Sequence, residues 1–126
     1  MVAFLSRGQQ VSKDSINSRI NHCWNITYSH PDSALDIAYQ TLSLSKKVDF
    51  QSGIFNSHNH LGILYDIKSN FDSSTAHYSK AINISKKNND SSHLASALSN
   101  MGLTYWHIGK YHLALEYFYD ALAIFE

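Results

Sequence analysis

The chain matches itself at a fixed offset of forty residues, and a repeat of that length restricts it to architectures built by stacking one unit on the next. Leu44-Ser45-Lys46-Lys47 returns as Ile84-Ser85-Lys86-Lys87, and Leu61-Gly62-Ile63-Leu64-Tyr65 returns as Met101-Gly102-Leu103-Thr104-Tyr105. Three copies are discernible. A small-residue column reads Ala34, Ser74, Ala114 and a second reads Thr41, Ala81, Ala121, while apolar columns run Leu42, Ile82, Leu122 and Leu44, Ile84, Ile124.

Within each copy the apolar residues recur three and four apart over stretches longer than a strand, which predicts helices. Ala34, Leu35, Ala38 and Leu42 show the spacing, as do Tyr78, Ala81 and Ile82. Polar, cap-forming clusters interrupt it around 28–32, 48–52, 68–70, 88–92 and 109–110, so six helices are expected near 13–28, 31–47, 52–67, 72–87, 92–107 and 111–125. The single proline, Pro31, then falls in a first helical turn, where its missing N–H costs nothing and Asp32 beside it suits the positive helix end. Gly62 and Gly102 fall inside helices, where glycine costs about 1 kcal/mol relative to alanine. Close approach of a partner helix is the expected compensation. Each hairpin would still keep an apolar face that only the next hairpin can cover, so burial enforces the stack.

The chain's 126 residues suffice for one continuous core. Ten Lys and Arg balance ten Asp and Glu, which removes the long-range attraction to phosphate on which nucleic-acid binding relies. Cys23 is the only cysteine, so neither an intramolecular disulfide nor a cysteine-based metal cluster is expected. No apolar run approaches the roughly 20 residues of a membrane helix, so this segment is expected to make no membrane contact. Residues 1–12 read as an N-terminal arm or the remnant of a signal peptide, and 13–126 as the repeat domain, with repeats near 13–50, 51–90 and 91–126.

The pattern resembles the tetratricopeptide repeat family, whose helix–turn–helix unit carries Leu-Gly-x-x-Tyr in its first helix and Ala-x-x-x-Phe with a further Ala in its second. The third copy supplies Met101-Gly102, Tyr105, Tyr111, Ala114, Phe118 and Ala121; the second supplies Leu61-Gly62, Tyr65, Phe71, Tyr78 and Ala81, with Ser74 at the first small position. The first copy is degenerate, with His22 and Asn25 standing where the glycine and tyrosine are expected. The resemblance implies an all-α solenoid of three repeats that binds proteins or peptides and catalyses no reaction. The forty-residue period resembles the longer-helix variety found in bacterial sensor kinases and regulators. A place outside the cytoplasmic membrane would follow from membership in a membrane sensor, and a cytoplasmic place otherwise.

The resemblance also implies that the first helix of each repeat lines a concave face. At the forty-residue offset its columns are Ile16, Asn56, Ser96; Arg19, Asn59, Ser99; Cys23, Ile63, Leu103; and Ile26, Asp66, Trp106. The expected partner-binding residues are therefore Arg19, Asn56, Asn59, Ile63, Asp66, Ser96, Ser99, Asn100, Leu103 and Trp106, with the asparagines satisfying backbone groups of a guest and Trp106 as the large anchor. A clamp for a terminal carboxylate would need several cations here, and only Arg19 is available.

Eight histidines raise the question of a metal, but none pairs with another at the three- or four-residue spacing that chelation on one helix requires. No metal or other cofactor is expected. No glycine-rich elbow, phosphate loop or carboxylate pair accompanies the serines, so an enzyme is not expected either. Glu126 aligns with Lys46 and Lys86, which predicts an uncovered face of Leu115, Phe118, Leu122 and Phe125 available for self-association.

Overall fold

Residues 11–125 are described by a computed structural model. The expected N-terminal arm lies almost wholly outside them. Six helices follow one another: α1 (Lys13–Ile26), α2 (Pro31–Lys47), α3 (Gln51–Ile67), α4 (Phe71–Lys87), α5 (Ser91–Ile108) and α6 (Tyr111–Ala123). Three helix starts are fixed by side chains that accept an otherwise orphaned backbone N–H: Ser12 from Ser15, Asn70 from Ser73 and Asp90 from His93. Pro31 opens α2 at its first position, and Lys46–Lys47 and Lys86–Lys87 close α2 and α4 at their negative ends. None of the described helices is long and apolar enough to cross a membrane.

Each helix packs on its chain neighbours, giving hairpins α1–α2, α3–α4 and α5–α6 stacked in order. Two core clusters each extend across a seam between hairpins. Cys23, Ala34, Ala38, Leu42, Leu61 and Leu64 join the first hairpin to the second, and Phe55, Tyr78, Ala81, Ala97, Leu98 and Met101 join the second to the third. Burial between units is thus what holds the array together. The backbones of the first helices also approach from hairpin to hairpin, α1 to α3 and α3 to α5, whereas among the described residues the backbones of α2 and α4 stay further apart, as do those of α4 and α6. The stack therefore curves with its first helices on the inside.

Gly62 in α3 and Gly102 in α5 mark close approaches of the partner helix within a hairpin. A Cβ on Gly62 would lie 2.5 Å from the ring of Tyr78, and one on Gly102 would lie 2.6 Å from the ring of Phe118. Ser74 completes the first of these contacts by donating its hydroxyl to the Gly62 carbonyl at 2.7 Å. Phe118 is accordingly part of its own hairpin's packing and only partly exposed, while Leu115, Leu122 and Phe125 are exposed.

The first repeat departs from the forty-residue register. Four of the five turns contain a residue of positive φ (Asp49, Ser69, Asn89, Gly109), and the amide after it bonds a carbonyl five residues back: Phe50 to Ser45, Asn70 to Tyr65, Asp90 to Ser85, Lys110 to Tyr105. The turn from α1 to α2 has no such residue, and its closing amide, His30, reaches only four back, to Ile26 at 2.8 Å. That turn is one residue shorter. Every residue of α1 is consequently displaced by one position, about 100° around the helix, from the column it holds in the sequence alignment. Burial follows the displaced register: Ile16, Phe55 and Ala95 are 0, 2 and 3% exposed and occupy one column, 39 and 40 residues apart. The columns expected to place Ile16 with Asn56, and Cys23 with Ile63, on the concave face are corrected, since Ile16 and Cys23 are both core residues. Cys23, not His22, takes the glycine position, and its thiol donates to the Ala34 carbonyl at 3.2 Å.

Candidate functional site: a recess on the inner face

In the displaced register, Trp24, Ile63 and Leu103 form one column along α1, α3 and α5, and Tyr28, in the turn after α1, forms the next with Ile67 and His107. Together these two columns line a recess of about 280 Å³ on the inside of the curve, completed by Asp66, Asn100 and the buried Tyr78 ring. Trp24 is held in place by stacking on His60, with ring centroids 3.8 Å apart and planes 17° from parallel. His60 is fixed in turn. Thr27 Oγ1 donates to the Cys23 carbonyl at 2.7 Å, which leaves that oxygen to accept from His60 Nε2 at 2.7 Å.

The polar groups of the recess are two pairs that cross from the second hairpin to the third. Asn100 Nδ2 donates to Asn59 Oδ1 at 3.1 Å. His107 Nδ1 lies 2.9 Å from both carboxylate oxygens of Asp66, whose side chain is only 12% exposed. Burial, followed by the Asp66 charge, pushes the Tyr78 phenol well above the ordinary tyrosine range, so Tyr78 stays a neutral hydroxyl.

Of the residues expected to bind a partner, Ile63, Asp66, Asn100 and Leu103 line this recess. Asn59 lies beneath it, 7% exposed, and supports Asn100 instead of facing a guest. Arg19, Asn56, Ser96 and Ser99 lie outside the lining, with Arg19 and Ser96 exposed. Trp106 is 48% exposed but turns toward α6, meeting Tyr111 edge-on with centroids 4.7 Å apart, so the indole of the recess is Trp24. Trp24, Tyr28, Ile67 and His107 are absent from the residues read off the sequence. Trp24 and Tyr28 are concealed by the one-residue slip in the first turn, whereas Ile67 and His107 stand at the constant offset, one residue beyond the last column taken.

A second polar cluster sits away from the recess. His58 Nδ1 and His77 Nδ1 are 3.1 Å apart, and the Tyr39 hydroxyl lies 2.7 Å from that of Tyr65 and 3.4 Å from His77 Nε2. Burial, then the neighbouring His77, Lys80 and Lys46, brings His58 down to about 4, and burial brings His60 down to about 4 as well. The His58–His77 pair bridges two helices and so escapes a search for spacing along one. Among the described residues no three His, Cys, Asp or Glu side chains converge as a metal site would require.

A family model described as tetratricopeptide repeat matches residues 53–126, which span the second and third hairpins. No curated protein and no solved structure matches the chain. The family is generally one of protein–protein interaction modules and is typically non-catalytic. The matched segment covers more than half of the sequence and contains both glycine–aromatic contacts, and on that ground the chain belongs to the tetratricopeptide repeat family.

Proposed function

We propose that the inner face of α1, α3 and α5 captures an extended segment of a partner protein, one of whose side chains enters the recess. The observation that carries this reading is the pair of columns Trp24–Ile63–Leu103 and Tyr28–Ile67–His107, which place apolar area from all three hairpins around one concavity. Asn100 and His107 at its rim supply hydrogen-bonding groups, and a concave, mostly apolar site with a few placed polar groups is what specific recognition requires. Panning a displayed library of random octapeptides against the chain and against Leu103→Glu tests it. Peptides retained by the unmutated chain and lost by the variant, with helical circular dichroism unchanged, support the groove. Equal retention by both overturns it.

The forty-residue period and the phrase His30-Pro31-Asp32-Ser33-Ala34-Leu35 support a setting as the input or scaffold region of a larger bacterial signalling protein. An output module such as a kinase, read in the same frame of the gene, is the expected finding. A gene that encodes no such module removes that setting.

A second reading is homo-oligomerisation through α6, supported by the exposure of Leu115, Leu122 and Phe125. It predicts a dimer or larger species in sedimentation that Leu122→Glu dissociates. A monodisperse monomer of the unmutated chain rejects it.

A further inference from the structure

Asp66 stands apart from its surroundings. Among the described residues lining the recess none is Lys or Arg and the Asp66 carboxylate is the one acidic group, largely withdrawn from water in a lining that also holds Ile63, Ile67 and Leu103. A carboxylate held in such a place loses hydration that must be offset by a partner. His107 supplies part of the offset through Nδ1, 2.9 Å from each oxygen. A carboxylate offers about four lone-pair positions, and one imidazole N–H does not fill them. The Trp24 indole and the Tyr28 phenol, whose faces attract cations, line the same recess as the carboxylate.

We infer that the recess selects a basic side chain, arginine or lysine, of the captured segment, with the alkyl stem against Ile63 and Leu103 and the cationic head between Asp66 and the Trp24 ring. The inference rests on the groove reading above and specifies the chemistry of its guest. Charge complementarity supplies the choice of occupant: a negative group beside aromatic faces favours a cation, and an acidic guest would meet a like charge. The volume of about 280 Å³ is at the lower limit of pockets that enclose a whole small molecule, and accommodates one long side chain.

The test uses the purified chain and a positional-scanning library of N-acetylated, C-amidated octapeptides. Enrichment of Arg or Lys at one position, by about fivefold or more over Glu, is expected for the unmutated chain. In the best-binding peptide, replacing that basic residue by Gln is expected to weaken binding about tenfold, a comparison that leaves the protein untouched. Asp66→Asn, which keeps an acceptor for His107, is expected to erase the preference for a basic residue while apolar preferences at other positions persist. Peptides enriched with a neutral or acidic residue at every position, or a basic preference that survives Asp66→Asn, overturn the inference and leave the groove intact. If no peptide is enriched over the Leu103→Glu control, both fall.

Discussion

Trp24 lies flat on His60, their ring centroids 3.8 Å apart, and this contact locks the first hairpin onto the second in its displaced register. His60 has no freedom to move, since its Nε2 is held by Thr27 and its ring is buried. An aromatic pair of this kind contributes about 0.5–1.5 kcal/mol beyond area burial, and a truncated buried ring leaves a cavity.

His60→Ala is therefore expected to lower unfolding stability by about 2–4 kcal/mol. Urea denaturation followed by circular dichroism measures it, and Trp24 emission should shift to the red in the native baseline. Unchanged emission would show that Trp24 does not rest on His60.

Gly62 and Gly102 separate two effects that usually oppose each other. Replacing a helical glycine by alanine gains about 1 kcal/mol of propensity, but here the new Cβ would lie 2.5 Å from the Tyr78 ring in one case and 2.6 Å from the Phe118 ring in the other. Tyr78 is enclosed in the second seam, whereas Phe118 is only partly covered and can swing outward, leaving a tight 3.2 Å approach to the Ala114 carbonyl. Gly62→Ala is expected to destabilise by about 1–3 kcal/mol, and Gly102→Ala by less. Equal effects in urea titrations would contradict the difference in packing.

The six helices and the close approach of a partner helix at Gly62 and Gly102 were legible in the sequence because spacing and repeat register report local geometry directly, but that aromatic rings, Tyr78 and Phe118, make those approaches was not. The recess was legible only in part. Ile63, Asp66, Asn100 and Leu103 came from the constant offset, whereas Trp24 and Tyr28 were concealed by a turn with no residue of positive φ. Ser29 in that turn gives no compositional warning, since Ser69 adopts positive φ at the equivalent place in the next repeat. Trp106 read as the anchor because its column faces inward, but its ring found Tyr111 instead. Helical periodicity fixes where a side chain leaves the backbone, not which neighbour it meets.

Ser45 and Ser85 occupy the same column with different outcomes. Ser85 donates to the Ala81 carbonyl at 2.8 Å, while the buried Ser45 Oγ has no partner among the described residues and sits where a Gly53 side chain would collide with it. Leaving a hydroxyl buried and unsatisfied costs about 1–3 kcal/mol. Ser45→Ala is expected to raise the urea midpoint by an amount worth about 1 kcal/mol, and Ser85→Ala to leave it unchanged or lower it. A loss of stability in Ser45→Ala would show that the hydroxyl is satisfied after all.

Acid should unfold the chain earlier than its carboxylates alone would dictate. Burial holds His58 and His60 down to about 4, and His77 is lowered in the same direction by burial and by Lys80. In the unfolded chain these imidazoles return to about 6.5. Between those values the unfolded state binds protons that the folded state refuses, so the contribution is intact above about pH 6.5 and drains away as the pH falls toward 4. For His60 the shift amounts to about 3 kcal/mol over the window, a large share of the typical total for a small domain. Urea midpoints measured at pH 7.5, 5.5 and 4.5 should fall steadily. His60→Gln keeps a donor for Thr27 but cannot titrate, so its midpoint should fall less steeply over the same range. Parallel curves for the two proteins would mean that the ring is hydrated in the folded state, and the stacking on Trp24 would lose its support.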